Sequence, residues 1–346
     1  MFALVDFWRS IAVFLVVLAH TLIWWGNPIF FKLIEPSLLG STGVAIFFVL
    51  TSYVLMLSLD RLKKSSNKLY IDFITRRFFR IYPLAIITVI FYYYCNIPSS
   101  FEKGIGFLPV YVSKSGFIQN ILLVQNFTIE KNVLGPLWSL PYEFQMYLLL
   151  PIIFTYIGSE DSKWRGIFIF FILCLSFFVA NNKMDTINNM FSYFQIPAYT
   201  KWGLCFIPGV IAYYAQKQFK GMQLNFIYIW PILGLILFSR MLNYDFFIQI
   251  LSAILVGFTL VIINDDFNLY LKKLCATISK YSYGIYLSHM FAIYLGFELF
   301  GKTLIGWSVF LLSLFILPIF CFHLIEKPFM DYGKRLCLKK YSNSGI

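Results

Sequence analysis

The stretch DFWRSIAVFLVVLAH, residues 6–20, decides the fold because it places two ionisable side chains inside a long apolar run. The run predicts a membrane-spanning helix over about residues 4–25. In such a helix the eleven steps from Arg9 to His20 turn about 1100°, which leaves the two side chains only about 20° apart around the axis. At about 1.5 Å per residue, His20 lies roughly 16 Å above Arg9, about half of a ~30 Å hydrocarbon core.

One face of this first span therefore carries a cation near one membrane surface and an imidazole deep inside. Because an ionisable group in a membrane is energetically costly, the arrangement indicates a functional site. The alternative is a structural role, in which Arg9 extends to the membrane surface and His20 only hydrogen-bonds a neighbouring helix.

The overall composition is that of an integral membrane protein. Of the 346 residues, 60% are hydrophobic and only 13% are charged, and the mean hydropathy is +0.75. The net charge of +12 comes mostly from loops on one side, a pattern that indicates membrane topology rather than nucleic-acid binding. The six cysteines and three histidines have no metal-ligand spacing, so we expect no metal site.

Apolar runs along the chain predict an all-α fold, a polytopic transmembrane helical bundle of about ten spans. The predicted spans cover about residues 4–25, 38–59, 78–97, 141–157, 166–181, 200–216, 226–241, 247–264, 281–299 and 305–325. We expect residues 1–330 to form one transmembrane domain and residues 331–346 to form a basic cytoplasmic tail.

Loop charges predict the orientation of the bundle. The loop between the second and third spans is rich in lysine and arginine, so the positive-inside rule places it in the cytoplasm. Both termini then lie in the cytoplasm, and the basic residues that follow Glu326 agree with this. The long outer connection, about 98–140, contains the apolar piece Phe117–Phe127, which is too short to cross and predicts a re-entrant or surface helix.

Three arginines, Arg76, Arg77 and Arg80, lie at the cytoplasmic start of the third span, on adjoining faces of one helical turn. Guanidinium groups bind phosphates bidentately, and Arg9 is predicted at a similar membrane depth. Together these arginines predict a binding site for a polyanionic cofactor. Alternatively, the three arginines of the third span only determine the topology.

The stretch GPLWSLPYEFQ, residues 135–145, enters the fourth span from outside. Ser139 could cap that helix, and a carboxylate in the first turn, Glu143, favours the helix dipole. The functional interpretation places Glu143 at the outer mouth, where it orients an imidazole or binds a sugar hydroxyl. Trp138 and Tyr142 suit either an interfacial aromatic belt or a sugar platform.

The ninth span contains KYSYGIYLSHM, residues 280–290, which places His289 near the middle of the membrane and Tyr283 on its cytoplasmic side. A packed, hydrogen-bonded histidine is the alternative to a functional one. His323 and Glu326 are three residues apart at the end of the last span, and this spacing predicts a local interfacial pair.

Taken together, these motifs resemble the acyltransferase 3 family of bacterial membrane acyltransferases. The matching strings are Arg9-x-x-Ala12-x-x-x-Val16-x-x-x-His20, Gly43-Val44-Ala45-Ile46-Phe47-Phe48-Val49-Leu50-Thr51-Ser52-Tyr53, Arg76-Arg77-x-x-Arg80-Ile81-x-Pro83, Trp138-Ser139-Leu140-x-x-Glu143 and Ser282-Tyr283-Gly284-Ile285-Tyr286-Leu287-x-His289. The second string departs from the family pattern, with Ser52 in place of a glycine and Ala45 in place of an acid. Each string is short, but they follow the family order across most of the chain.

The resemblance implies transfer of an acyl group, usually acetyl, from cytoplasmic acyl-CoA to a hydroxyl of a cell-surface or lipid-linked glycan such as O-antigen. It implies that His20, Arg9 and the cluster of Arg76, Arg77 and Arg80 are essential. We expect the arginines to bind acyl-CoA and His20 to act as general base, with the acceptor arriving from outside past Glu143. The residues expected to contact the acceptor are Trp138, Ser139, Tyr142, Tyr283 and His289.

The resemblance further implies a multi-pass protein of the bacterial inner membrane, with acyl-CoA as a donor substrate and no permanently bound cofactor. The alternative to an enzyme is a transporter or flippase that uses the intramembrane Arg, His and Glu side chains as a proton or substrate path. Such transporters often contain paired repeats with broken helices, and the sequence shows no such symmetry.

Overall fold

The computed structural model describes residues 3–26, 35–63, 68–102, 106–108, 110–128, 130–157, 198–218, 224–242, 246–264 and 266–342. The α-helices are α1 (Ala3–Trp25), α2 (Pro36–Lys63), α3 (Leu69–Tyr94), α4 (Lys114–Leu122), α5 (Leu140–Ile157), α6 (Ile207–Gln218), α7 (Ile229–Leu242), α8 (Phe246–Ile262), α9 (Leu269–Ile293), α10 (Leu304–Phe320) and α11 (Lys327–Ser342). The short 3-10 helices are Gln125–Phe127, Gly135–Ser139, Ala198–Phe206 and Phe226–Tyr228, and two π-helical segments cover Tyr294–Glu298 and Cys321–Glu326.

Helix α1 lies at the centre of the bundle, between α2 and α9. It runs parallel to α9, because Arg9 Nη1 donates to Ser279 Oγ at 3.1 Å and, further along both helices, His20 Nδ1 lies 3.2 Å from His289 Nε2. On its other side α1 runs antiparallel to α2, and Gly43 lies directly against the Ala12 carbonyl. A helix that must contact two neighbours closely needs small residues at the contact, as membrane bundles show generally.

The remaining helices surround α2 and α9. Helix α2 also packs against α5, α6 and α8, whereas α9 packs against α10. Helices α1 and α8 are joined by a hydrogen bond from Trp8 Nε1 to Thr259 Oγ1 at 2.8 Å. Such polar contacts between apolar helices are typical of proteins whose surroundings are lipid.

The predicted all-α class is confirmed, with one small addition, while the count of about ten spans and the orientation stay predictions. Strands β1 (Ser100–Glu102) and β2 (Gly106–Leu108) form an antiparallel pair in the connection that follows α3. Three helical stretches are long and apolar enough to cross a membrane by length and composition among the described residues: Ala3–Trp25, Pro36–Lys63 and the composite Leu304–Leu338. The predicted span 166–181 lies outside the described residues.

Two helices begin well before the predicted spans. Helix α3 begins at Leu69 rather than near residue 78, and α9 begins at Leu269 rather than near residue 281. Hydropathy marks only the apolar part of a helix, whereas lysine and arginine continue a helix readily. The arginines of α3 therefore lie within a regular helix and not at its first turn.

The connection from α3 to α5 folds back into the bundle. Along α3, the Tyr93 ring stacks on Phe117 of α4 at 4.2 Å, and the Tyr82 hydroxyl donates to the Leu122 carbonyl at 2.9 Å. Helix α4 thus follows α3 away from its C-terminal end. The 3-10 turn Gly135–Ser139 then leads directly into α5, so α5 begins inside the bundle rather than at its edge.

The C-terminal segment forms a helix that packs along the start of α3. The ring of Tyr332 on α11 meets Phe79 edge to face at 5.3 Å, and Cys337 Sγ donates to the Asp72 carbonyl at 3.8 Å. Residues 327–342, which include most of the predicted basic tail, are therefore helical and docked on α3.

The α1–α2 contact gives a test of the packing. A Cβ at Gly43 would lie 2.5 Å from the Ala12 carbonyl oxygen and 2.9 Å from Val16 Cγ2, whereas a Cβ at Gly234 has nothing within 4 Å. We expect Gly43→Ala to destabilise the protein by about 1–3 kcal/mol through overpacking, and Gly234→Ala to be neutral or stabilising by up to about 1 kcal/mol. Thermal midpoints of the two detergent-solubilised variants, measured by fluorescence-detected size exclusion, check this. An unchanged midpoint for Gly43→Ala contradicts the packing.

Candidate active site

A cavity opens between α1, α2, α3, α5 and α9. The five helices contribute most of its polar lining, and the 3-10 turn before α5 contributes one further hydroxyl. The polar side chains are Arg9, Thr51, Arg80, Ser139, Glu143, Ser282, Tyr283 and Tyr286. The apolar part of the wall comes mainly from α2, through Val44, Phe47 and Phe48. The cavity thus joins basic, acidic and hydroxyl groups in an otherwise apolar bundle.

The basic side of the cavity is formed by Arg9 and Arg80, with Arg77 close behind. The three guanidinium groups interact electrostatically with one another, and Arg9 and Arg77 also interact with Glu143. A second carboxylate, Glu326, is only 4% exposed and interacts with Arg80. A third carboxylate, Asp6, interacts with Arg9. Among the described residues that line the cavity, Arg9 and Arg80 face the single carboxylate of Glu143, so the lining carries an excess of positive charge.

Glu143 is fixed by hydroxyl groups on two helices. Its Oε1 accepts a hydrogen bond from the Tyr147 hydroxyl at 2.7 Å and one from Thr51 Oγ1 at 3.3 Å. Its predicted position at the outer mouth is wrong, because Glu143 lines the same cavity as Arg9. The physical reason is the folded-back connection, which carries the chain inward before α5 begins.

Arg76 lies away from the cavity, apart from the other arginines of the predicted cluster. It interacts with Cys337 on α11, close to Asp72, whereas Arg77 lies over the Phe73 ring with 5.6 Å between the guanidinium carbon and the ring centroid. The four-arginine cluster predicted from the sequence is thus reduced to Arg9, Arg77 and Arg80 at the cavity. Arg76 belongs to the contact between α3 and α11.

The two membrane histidines are in direct contact. His289 Nε2 lies 3.2 Å from His20 Nδ1, and the two ring centroids are 5.0 Å apart. His289 is completely buried, whereas His20 is partly exposed. Neither imidazole lines the cavity formed by the described residues, but Tyr286 does, and its ring lies 6.0 Å from that of His289.

Apart from His289, the predicted acceptor residues divide into two groups. The hydroxyls of Ser139 and Tyr286 are 2.7 Å apart, and the Tyr283 hydroxyl donates to the Ile81 carbonyl at 2.8 Å. Ser139 and Tyr283 both line the cavity. Trp138 and Tyr142 instead pack in an aromatic cluster with Phe48, Trp202 and Phe206. This cluster stabilises the contact between α2 and α5.

Comparison with known proteins identifies the family to which this fold and site belong. Residues 2–326 match the family described as an acyltransferase domain, acyltransferase 3. The chain belongs to the acyltransferase 3 family. A 124-residue segment of this acyltransferase is 33% identical to Acyltransferase MdmB of Streptomyces mycarofaciens and covers 35% of this chain and 30% of that relative. No solved structure matches the acyltransferase.

The candidate site also contains residues that the sequence patterns did not single out. Tyr147 follows Glu143 by four residues on α5, a spacing that places both on one helix face and could have indicated their contact. Thr51 lies within the second-span string, but nothing in the sequence connects it with α5. Tyr286 and Glu326 reach the site only through packing of α9 against its neighbours.

The predicted local pair of His323 and Glu326 is wrong. His323 Nε2 lies 3.3 Å from the Tyr281 hydroxyl, whereas Glu326 is buried against Gly284. Both residues lie in the π-helical segment Cys321–Glu326, whose wider turn moves residues three apart out of register. Among the described residues, no group of three or more His, Cys, Asp or Glu side chains could hold a metal ion.

The hydrogen bond between Tyr147 and Glu143 can be tested in the acyltransferase. Tyr147 is 2% exposed, so Tyr147→Phe removes a hydrogen bond to a carboxylate without opening the site to water. We expect a loss of about 1.5–3 kcal/mol of stability, seen as a lower thermal midpoint in detergent. Tyr111→Phe is the matched control, because Tyr111 is 86% exposed. Equal midpoints for the two variants contradict the contact.

Proposed function

We propose that this acyltransferase is a membrane-bound O-acyltransferase that moves an acetyl or other short acyl group from cytoplasmic acyl-CoA to a hydroxyl of a cell-surface or lipid-linked polysaccharide such as O-antigen. The observation that carries the proposal is the arrangement along α1. Arg9 lies at a cavity with excess positive charge, and His20 lies about 16 Å further along the same stripe of the helix. A donor with a polyanionic head and a long extended arm fits this separation.

The charge of the cavity supports acyl-CoA as the donor. Arg9, Arg77 and Arg80 repel one another in surroundings of low dielectric, and a bound anion would relieve that repulsion. Guanidinium groups form charge-assisted, bidentate hydrogen bonds with phosphate. In the proposed complex the phosphates of CoA lie between the three arginines, and the pantetheine arm extends along the cavity past Tyr286 toward His20.

The chemistry then centres on the imidazole of His20. The acceptor hydroxyl loses its proton to His20 as its oxygen attacks the thioester carbonyl, and the CoA thiolate leaves and takes up that proton. The products are the acyl ester and the free thiol of CoA. Transfer through an acyl-histidine requires the same basic nitrogen and gives the same products. Glu143, held by Tyr147 and Thr51, maintains Arg9 and Arg77 in position for the donor.

The proposal includes the orientation derived from loop charges. About ten spans with both termini in the cytoplasm place the cavity arginines near the cytoplasmic surface of a bacterial inner membrane. The donor is made in the cytoplasm, so this orientation puts the basic cavity on the side from which acyl-CoA arrives. The acceptor glycan then approaches His20 from the opposite side.

The first test is transfer of labelled acetyl from acetyl-CoA to surface polysaccharide in membranes that contain the native chain or His20→Ala at matched expression. We expect the label to appear with the native chain and to fall by about 10²- to 10⁴-fold without the general base. Label that is equal in both excludes His20 as the base. Absence of label from the native chain, with a verified donor and acceptor, contradicts the proposed reaction.

A matched pair of arginine variants tests the donor site in the same assay. Arg80 lines the cavity, whereas Arg76 contacts α11. We expect Arg80→Gln to raise the KM for acetyl-CoA by about tenfold or more, since a charge-assisted hydrogen bond contributes about 1.5–3 kcal/mol. Arg76→Gln should leave this KM near the native value and lower the thermal midpoint instead. An equal rise in KM for both variants contradicts the assignment.

A further inference from the structure

The contact between His20 and His289 defines which nitrogen of each ring carries a proton. His289 Nδ1 lies 3.2 Å from the Ile285 carbonyl, and the His289 ring also forms a backbone hydrogen bond with Tyr286. Carbonyl oxygens only accept hydrogen bonds, so Nδ1 of His289 carries the hydrogen and Nε2 carries the lone pair of the neutral ring. That lone pair is directed at His20 Nδ1.

The same reasoning applies to His20. Its Nδ1 lies 2.9 Å from the Val16 carbonyl and 3.2 Å from His289 Nε2. Both neighbours are acceptors, so Nδ1 of His20 carries a hydrogen that it shares between them. The neutral ring then has its lone pair on Nε2, which makes Nε2 the basic nitrogen.

We propose that His289 is a positioning residue for His20: it accepts the Nδ1 hydrogen, fixes the tautomer in which Nε2 is the base, and stabilises the imidazolium that forms during transfer. This inference rests on the proposed function, in which His20 is the general base. In hydrolases with a Ser-His-Asp triad, a carboxylate accepts the Nδ1 hydrogen of the catalytic histidine in the same manner. Here the acceptor is a neutral imidazole, which introduces no additional charge into the membrane.

The geometry favours this role over the acceptor-binding role expected from the sequence. His289 is 0% exposed, and both of its nitrogens are engaged, one by backbone carbonyls and the other by His20. A side chain in this state has no polar atom to offer a sugar hydroxyl. His20, in contrast, is partly exposed, and the proposal requires substrate to reach its Nε2.

Helix packing holds the two rings in register. Because α1 and α9 are parallel, Arg9 meets Ser279 and His20 meets His289. The two α1 partners are eleven positions apart, and the two α9 partners are ten positions apart. Tyr286, one turn before His289, has its hydroxyl 2.7 Å from both the Pro136 carbonyl and Ser139 Oγ. This anchor fixes the rotation of α9 and therefore the direction of the His289 ring.

The proton balance of the step is simple. The acceptor O–H bond breaks, its proton moves to His20 Nε2, and the new O–C bond forms at the acyl carbon. The resulting imidazolium keeps its Nδ1–H directed at His289 Nε2, and the proton on Nε2 passes to the departing CoA sulfur. In this sequence His289 neither gains nor loses a proton. Its role is limited to holding His20, and it touches neither substrate nor reacting atoms.

Nitrogen NMR of the native protein tests the contact without any activity. The chain has only three histidines, so selective ¹⁵N-histidine labelling gives a spectrum with three rings, and His323→Gln removes the one outside the pair. We expect His20 as the Nδ1–H tautomer, with a nitrogen–nitrogen coupling across the hydrogen bond to His289. A His20 ring protonated on Nε2 alone, without that coupling, overturns the proposal.

Kinetics separate positioning from a merely structural role. We expect His289→Leu to lower kcat by about 10- to 100-fold with the KM for acetyl-CoA unchanged, a smaller loss than for removal of the base itself. His289→Gln offers an amide oxygen as acceptor and should recover a large part of kcat, whereas His323→Gln should behave as native. Equal kcat for His289→Leu and native protein overturns the proposal, as does equal loss in the Leu and Gln variants.

The outcomes distinguish this proposal from the proposed function. If the native protein transfers no acetyl, the function fails, and the NMR coupling still decides whether the two rings are paired. If the native protein is active and His289→Leu is equally active with a native thermal midpoint, only the positioning role fails.

Discussion

The site depends on one constraint: α1 carries both Arg9 and His20, and both polar groups need partners inside an apolar bundle. Burial of an unpaired polar or charged group is costly, so the partners determine where α1 can lie. Helix α9 supplies them in order, Ser279 for Arg9 and His289 for His20. On the other side of α1, helix α2 has a glycine at the contact, which lets the two backbones pack closely. The position of α1 between these helices follows from both demands.

The second determinant of the site is the connection that folds back between α3 and α5. It brings Ser139 to Tyr286 and Glu143 to the cavity arginines. Buried Asn120 stabilises the connection, with its side-chain amide donating to Gly116 and Lys131 carbonyls and its oxygen accepting from the Val133 amide. An irregular segment can lie inside a membrane bundle only if protein groups satisfy its backbone, and Asn120 meets part of that requirement.

The sequence predicted the features that follow from helical geometry. The stripe that joins Arg9 to His20 and the all-α class both follow from periodicity and hydropathy, and the structure agrees with them. The position of Glu143 beside the arginines could not be predicted, because hydropathy does not reveal that the connection between α3 and α5 returns into the bundle. The separation of Arg76 from Arg80 was likewise hidden, since both lie on one helical turn and only the docking of α11 distinguishes them. The pairing of His20 with His289 depends on the parallel packing of two helices far apart in sequence, which no local pattern encodes.

The central claim is that one cavity binds the donor at its arginines and directs the acyl group toward His20, the general base of the transfer. A structure of the native protein with a CoA thioether, an analogue that binds as the donor but cannot transfer its group, measures this directly. The account predicts the CoA phosphates between Arg9, Arg77 and Arg80, and the thioether group about 3–3.5 Å from His20 Nε2, the distance of a reactive complex. Phosphates bound elsewhere, or a thioether that lies away from His20 while the arginines hold the phosphates, would contradict it.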